Sequence, residues 1–349
     1  MANHESKEPM NVPSTNPTII FPAPKRVEIE MRKTPVVEPG QVLIQTRRTL
    51  ISTGTELTVL NGEYPANSRW AKFGEFPFVP GYDNVGEVVV VGDGVEPSLV
   101  GQTVATYGSH ARYVTAPVST LRKLQRDIPD EQAVFFTIAE IVMNGVRRAA
   151  VQWGESVAVY GLGLLGQLAV RFCRLGGARP VLAIDPAENR LARLPADPQI
   201  RRVNPKLESV SEVIQSETRG HSLDVVFEVT GAADLIPGEF EGLRNQGRFV
   251  VLSSPRGKTT FDFHDLCNSP SFTIIGAHNA SHPPEATQQC PWSQQRHAEL
   301  FFDLIADGEM DLRPLISHRA SYREAPQLYK MLLEDRSAAM GIVLDWTAE

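Results

Sequence analysis

The chain has 349 residues, 42% of them apolar and 21% charged, with a formal net charge of −7. That size allows two domains, each with its own core. The charge argues against a polyanion-binding surface, and the pairs Arg147-Arg148 and Arg201-Arg202 are too short to make one. No apolar run approaches the roughly 20 residues that span a bilayer, so neither nucleic acid nor membrane is an expected partner. Cys173, Cys267 and Cys290 lie far apart without CxxC spacing, which disfavours a disulfide framework or a cysteine-based zinc site and suits a reducing cytoplasm.

In chain order, residues 1–16 are polar, lack the apolar segment of a secretory signal, and read as a flexible tail. From about Pro17 to Leu124, short stretches broken by Gly and Pro predict the strands of a compact barrel or sandwich: TIIFPAP, GQVLIQTRRTLIS, GEVVVVG, QTVATYG and ARYVTAP. From about Glu155 the pattern changes. SVAVYG predicts a strand, and LLGQLAVRFCRL a helix that holds Cys173 as a buried thiol and stops at Gly176-Gly177; the strand PVLAID follows. LDVVFEVTG, GRFVVLSS and FTIIGAH continue as strands, with helical stretches between the first two. Apolar strands alternating with helices imply a parallel sheet covered on both faces. After about Ala280 come a Pro-rich loop, two amphipathic helices (RHAELFFDLIADG and EAPQLYKMLLED) and the strand-like GIVLDW.

VAVYGLGLLGQLAVRF places Gly161, Gly163 and Gly166 in GxGxxG spacing between a strand and a helix. The first glycine permits the tight turn, the second lets backbone approach a pyrophosphate, and the third lets helix and strand pack closely. The helix start, at Leu164 and Leu165, offers free N–H groups to phosphate. About twenty residues on, Asp185 ends the next strand, where a carboxylate accepts from a ribose 2′-hydroxyl and repels a 2′-phosphate. The order of elements therefore predicts a dinucleotide site with NAD preferred over NADP. Arg190 and Arg193 follow closely and soften that preference.

A β-rich domain, a Rossmann segment near residue 150 and a return to the first domain resemble the medium-chain dehydrogenase/reductase superfamily of zinc-type alcohol dehydrogenases. The resemblance rests on EPGQVLIQ, GTEL, PGYDNVGEVVVVGDGV, VAVYGLGLLG, DVVFEVTG and GRFVVL; LISTGTEL, GYDNVGEV and LISHRASYREAPQLYKMLL are most similar to its bacteriochlorophyllide dehydrogenase-like branch. It implies an α/β fold: a GroES-like β-rich catalytic domain (17–138 and 279–349) split around a Rossmann NAD-binding domain (139–278), with the active site in the cleft between them. It also places Thr230, Gly231 and Ser253 beside the cofactor and implies a homo-oligomer, a dimer or a tetramer.

The resemblance also exposes a departure. Thr53 and Tyr82 stand where zinc members carry a Cys and a His ligand, and Thr137 falls near the third ligand position. Hydroxyls are poor neutral ligands for zinc, so no zinc is expected. Hydride transfer still works through the nicotinamide, and protons must then move through side chains. Thr55 matches the family's proton-relaying Ser/Thr. Tyr82 is expected to polarise the substrate oxygen, with Asp83 and Glu56 as acids that orient it, unless it merely fills the space of the metal. His278 and His110 are pocket candidates; Trp292 and Arg296 suit either a substrate loop or a helix start. His278, His282 and Cys290 match no standard metal spacing. The expected function is zinc-independent, NAD(H)-dependent interconversion of a secondary alcohol, sugar- or polyol-like, and a ketone. The alternatives are NADPH-dependent enone reduction and non-catalytic nucleotide binding.

Overall fold

A computed structural model describes residues 12–283 and 285–348. The first domain opens with β1 (Thr15–Ile20) and β2 (Glu28–Lys33), an antiparallel pair. β3 (Gln41–Leu50), β4 (Asn84–Val91), β5 (Thr103–Thr106), β6 (Tyr113–Pro117) and β7 (Arg122–Lys123) follow. The second domain carries β8 (Val157–Tyr160), β9 (Val181–Ile184), β10 (Ile200–Val203), β11 (Leu223–Glu228), β12 (Leu243–Val251) and β13 (Thr273–Gly276). The chain then returns through β14 (Ile316–Ser321) and β15 (Gly341–Asp345).

The first domain's main sheet runs β14-β15-β3-β4-β5-β7, with β6 also paired to β3. Residues separated by most of the chain therefore share one sheet, since β15 pairs antiparallel with β3. The helix Ala325–Glu334 closes the same core, bringing Leu328, Tyr329 and Leu332 against Leu57 and Leu60 of the helix Thr55–Asn61.

The second domain is a six-stranded, wholly parallel sheet in the order β10-β9-β8-β11-β12-β13. Its two-sided burial follows from the period of two along a strand. Val157 and Val159 of β8, with Val181 and Ala183 of β9, face a core that includes helices Phe136–Arg148 and Leu164–Leu175. Ala158, Leu182 and Ile184 face the other way, onto Val213, Ile214 and Phe249. An apolar residue at every position is what a sheet covered on both sides requires.

Three features depart from the sequence expectations. β1 begins at Thr15, inside the stretch expected as a tail, because buried Asn16 is stapled to β6: its Nδ2 donates to Tyr113 O at 2.9 Å and its Oδ1 accepts from Tyr113 N at 2.9 Å. Residues 1–11 of that expectation lie outside the described chain. β2 (EIEMRK) and β10 (IRRV) carry charges that hide them from an apolar pattern; β10 is anchored only by buried Ile200 and Val203. Between β11 and β12 the expected helical stretch is a single turn, Ile236–Glu239, with Pro237 in it. Pro lacks the N–H that a longer helix would need.

Gly166 is fixed by contact. A Cβ there would lie 1.8 Å from the Gly161 carbonyl oxygen, so strand and helix would have to part. Gly166→Ala is expected to cost about 3 kcal/mol or more of stability, read as a lowered midpoint in thermal or urea denaturation.

Candidate functional site

A cavity of about 900 Å³ runs between the two domains. One end is built on the carboxyl ends of the parallel strands. β8 runs into Gly161, whose φ of +91° suits glycine, and the chain then enters the 12-residue helix Leu164–Leu175, whose N-terminus has no side-chain cap. Its first amides are thus free for a ligand. Nothing lies within 4 Å of where a Gly163 Cβ would be; the backbone there is open to the cavity. Gly161, Gly163, Leu164 and Leu165 line it, while Gly166 packs beneath the turn.

Asp185 follows β9 and is 2% exposed. Its Oδ2 accepts from Leu162 N at 2.8 Å and from Arg190 Nη1 at 3.2 Å, and its Oδ1 accepts from Ala187 N at 2.8 Å. The acid both braces the glycine turn and faces the cavity. Arg190 also donates to the Arg336 carbonyl at 3.3 Å, whereas Arg193 turns away to the Pro314 carbonyl. Buried Glu228 organises the next loops: it accepts from Thr230 Oγ1 at 2.7 Å, Gly231 N at 2.8 Å and Ser253 Oγ. Thr230, Gly231 and Ser253 all line the cavity. An uncapped helix start, an open glycine and a ribose-type acid fit a dinucleotide.

The other end is a cluster of hydroxyls. Tyr82 hydrogen-bonds Ser52 Oγ and donates to Thr55 Oγ1 at 3.3 Å. Ser52, Thr53, Thr55, Tyr82, Thr137 and His278 line this part. Burial, with Asp83 nearby, raises the Tyr82 phenol well above its ordinary value, so it stays a protonated hydrogen-bond donor across the neutral range.

Asp83 does not orient Tyr82. The two residues are neighbours in extended chain just before β4, and consecutive side chains there point to opposite sides. Asp83 is fully buried, lies outside the cavity wall, and neither carboxyl oxygen has a hydrogen-bond partner among the described residues. Thr137, its polar neighbour, donates instead to the Tyr82 carbonyl at 2.9 Å. Burial, offset in part by Thr137, holds the Asp83 carboxyl well above the usual carboxylate range.

Glu56 is likewise buried behind the site, accepting from Ser52 N at 3.2 Å and from the Tyr329 hydroxyl. His110 is fully buried on Glu56 at 3.2 Å and is not a pocket residue. Glu56 therefore reaches Tyr82 by hydrogen bonding through Ser52, and by its charge. Nor do Trp292 and Arg296 reach the cavity: the Trp292 ring is clamped between Arg147 at 3.3 Å and Arg296 at 3.9 Å. His282 pairs with His297 at 2.9 Å, and His278 accepts from Ala280 N.

A zinc ion does not fit this donor set. Thr53, Tyr82 and Thr137 offer neutral hydroxyls, and the buried Asp83 carboxyl lies outside the cavity wall. Among the described residues, no group of three or more His, Cys, Asp or Glu is disposed to hold a metal.

Several lining residues escaped the sequence reading. Ser52 precedes the motif that drew attention to Thr53 and Thr55. Trp70 and Phe73, edge to face at 6.1 Å on the short helix Arg69–Phe73, wall the substrate end. Arg256 reaches across the domains to donate to Thr58 Oγ1 at 3.0 Å, and Arg336 lines the cavity beside Arg190. No local spacing marks either arginine.

Comparison with known proteins agrees with this architecture. The family model of the alcohol dehydrogenase GroES-like domain matches residues 38–126, and that of the zinc-binding dehydrogenase matches residues 165–293. D-guloside 3-dehydrogenase of Escherichia coli K12 is 27% identical over 298 residues, covering 81% of this chain and 83% of that protein. L-threonine 3-dehydrogenase of Pyrococcus horikoshii is 28% identical over 342 residues, covering 87% and 91%. The crystal structure of 2R,3R-butanediol dehydrogenase from Bacillus subtilis superposes with a TM-score of 0.78 at 20% identity, covering 95% and 99%.

Gly163 gives a test of the nucleotide end separate from folding. Because nothing occupies the space of its Cβ, Gly163→Ala is expected to leave the melting temperature within about 2 °C of the parent while weakening NADH binding about tenfold or more, measured by fluorescence titration.

Proposed function

The chain belongs to the medium-chain dehydrogenase/reductase superfamily of zinc-type alcohol dehydrogenases, and from that premise we propose that it interconverts a secondary alcohol and a ketone with NAD(H) and without zinc. The observation that carries this reading is the hydroxyl cluster Ser52–Tyr82–Thr55 at the position of the family's metal ligands, in one cavity with an intact dinucleotide cradle.

A bound nicotinamide supplies the hydride donor or acceptor. The chain's own task is the substrate oxygen. In the reducing direction the Tyr82 phenol, kept protonated by burial, donates to the carbonyl oxygen and stabilises the negative charge that develops there. With that proton turned to the substrate, the Thr55 hydroxyl donates to the phenol oxygen in its place and continues the hydroxyl chain through which the oxygen exchanges its proton. Ser52 pins the phenol from the other side, and Glu56, through the Ser52 amide, fixes Ser52. Thr53, Thr137 and His278 contribute polar wall, and Trp70 with Phe73 contributes apolar wall.

Asp185 supports NAD over NADP, because a 2′-phosphate would sit against a buried carboxylate whose cationic neighbour, Arg190, is already engaged. The relatives named above act on a guloside and on threonine, and a neutral sugar- or polyol-like alcohol suits a wall of hydroxyls and aromatic rings. The edge strand β13, with Ile274 42% exposed, offers the surface for pairing with a second copy. No helix among the described residues is long and apolar enough to cross a membrane; we place the enzyme in the cytoplasm.

Tyr82→Phe is expected to lower kcat about 100-fold with NADH affinity unchanged, as read by steady-state kinetics beside a binding titration. Metal analysis of the active enzyme should find no stoichiometric zinc, and chelation should leave the rate intact; a chelator-sensitive rate with one zinc per chain overturns the mechanism. Asp185→Ala is expected to narrow the NADH-over-NADPH preference about tenfold or more; a parent that already binds NADPH more tightly favours enone reduction.

A further inference from the structure

Beyond Asp185 the cavity continues into a recess walled by Tyr160, Pro186, Pro205 and Leu235. Tyr160, Pro186 and Pro205 sit at or just past the ends of β8, β9 and β10, and Leu235 lies in the crossover after β11, so the recess is the place a Rossmann sheet offers to the base of a dinucleotide. One side chain in that wall is out of keeping with the rest. Glu239, the last residue of the turn Ile236–Glu239, lines the recess, is 3% exposed, and has no hydrogen-bond partner for either carboxyl oxygen among the described residues.

Buried polar groups without partners are rare and call for an explanation. Among the described residues, the charge that acts on it is another acid, Glu228 at the end of β11, and Glu239 in turn acts with Glu241 on Tyr160 at the end of β8. Burial, with the Glu228 carboxylate next, pushes the Glu239 carboxyl up to about 9. At neutral pH it is therefore a neutral acid, presenting one O–H donor beside one C=O acceptor. The amino-bearing edge of adenine presents an N–H donor beside a ring-nitrogen acceptor, which is the same pair reversed.

We propose that Glu239 reads the adenine base, its carboxyl pairing with the amino-bearing edge through two hydrogen bonds. This assignment rests on the dinucleotide reading of the cavity and goes beyond the glycine turn and Asp185, which touch only phosphate and ribose. It also accounts for a buried carboxyl that nothing else in the fold uses.

The test is binding to the purified full chain, by calorimetry or fluorescence, with NADH, ADP-ribose and reduced nicotinamide mononucleotide as ligands. Glu239→Leu is expected to weaken NADH and ADP-ribose about tenfold while leaving the mononucleotide unchanged. Glu239→Gln, which also sets an N–H donor beside a C=O acceptor, is expected to stay within about threefold of the parent. A dinucleotide whose purine lacks the amino group should bind the parent about tenfold more weakly than NADH and lose little more on Glu239→Leu. Melting temperatures of both variants should match or exceed the parent, since an unpartnered carboxyl is being removed. Unchanged NADH affinity in Glu239→Leu, or equal weakening of all three ligands, overturns the proposal and leaves the dinucleotide reading standing. A parent that binds neither NADH nor ADP-ribose overturns that reading as well.

Discussion

The structure depends on the contact between strand and helix at Gly161 and Gly166. With only hydrogen at Gly166, the helix Leu164–Leu175 starts directly above β8, and its uncapped end opens into the space between the domains. Asp185 then reinforces the same turn by accepting from the Leu162 amide. The acid at the end of β9 is thus a brace of the glycine turn, which couples the geometry of this end of the cavity to the stability of the turn itself. The large buried faces of the parallel sheet hold these pieces in register.

The first domain solves a different problem. Its cavity wall is a set of hydroxyls, and hydrogen bonds that lead back to a buried acid anchor them. Glu56 serves as that anchor, joining Ser52 N, His110 and Tyr329 from three separate elements. Two further carboxyls, Asp83 and Glu140, lie buried close by; Glu140 is bonded by Tyr107 at 2.7 Å and Arg122 at 3.1 Å, and burial raises it to about 7. Burial, with Asp83 and Glu56 nearby, favours the protonated phenol at Tyr82. That is the state in which a tyrosine can stabilise developing charge on a carbonyl oxygen.

Much of this was legible from local sequence. The glycine spacing, the helix Leu164–Leu175 and Asp185 lie within 25 residues of one another, and each acts through its own backbone or the next strand end. The hydroxyl residues Thr53 and Tyr82 were legible for the same reason, since residue type is read directly from the sequence. Less legible were β2 and β10, whose charged residues carry no apolar period, and the one-turn crossover at Pro237. The pairing of Asp83 with Tyr82 read correctly as adjacency and wrongly as contact, because extended backbone sends neighbours to opposite sides.

By itself, then, the sequence determined the two-domain α/β plan, the glycine turn with its acid, and the hydroxyl character of the cavity's other end, all of which reside in contiguous residues. Only the tertiary structure decided which groups meet across the chain. Tyr329 reaches Glu56 from 273 residues away, Arg256 crosses to Thr58, Arg336 arrives beside Arg190, and Glu239 is left without a partner among the described residues, in the recess beyond Asp185. Such meetings follow from how sheets and helices pack around shared cores, and no spacing along the chain encodes them.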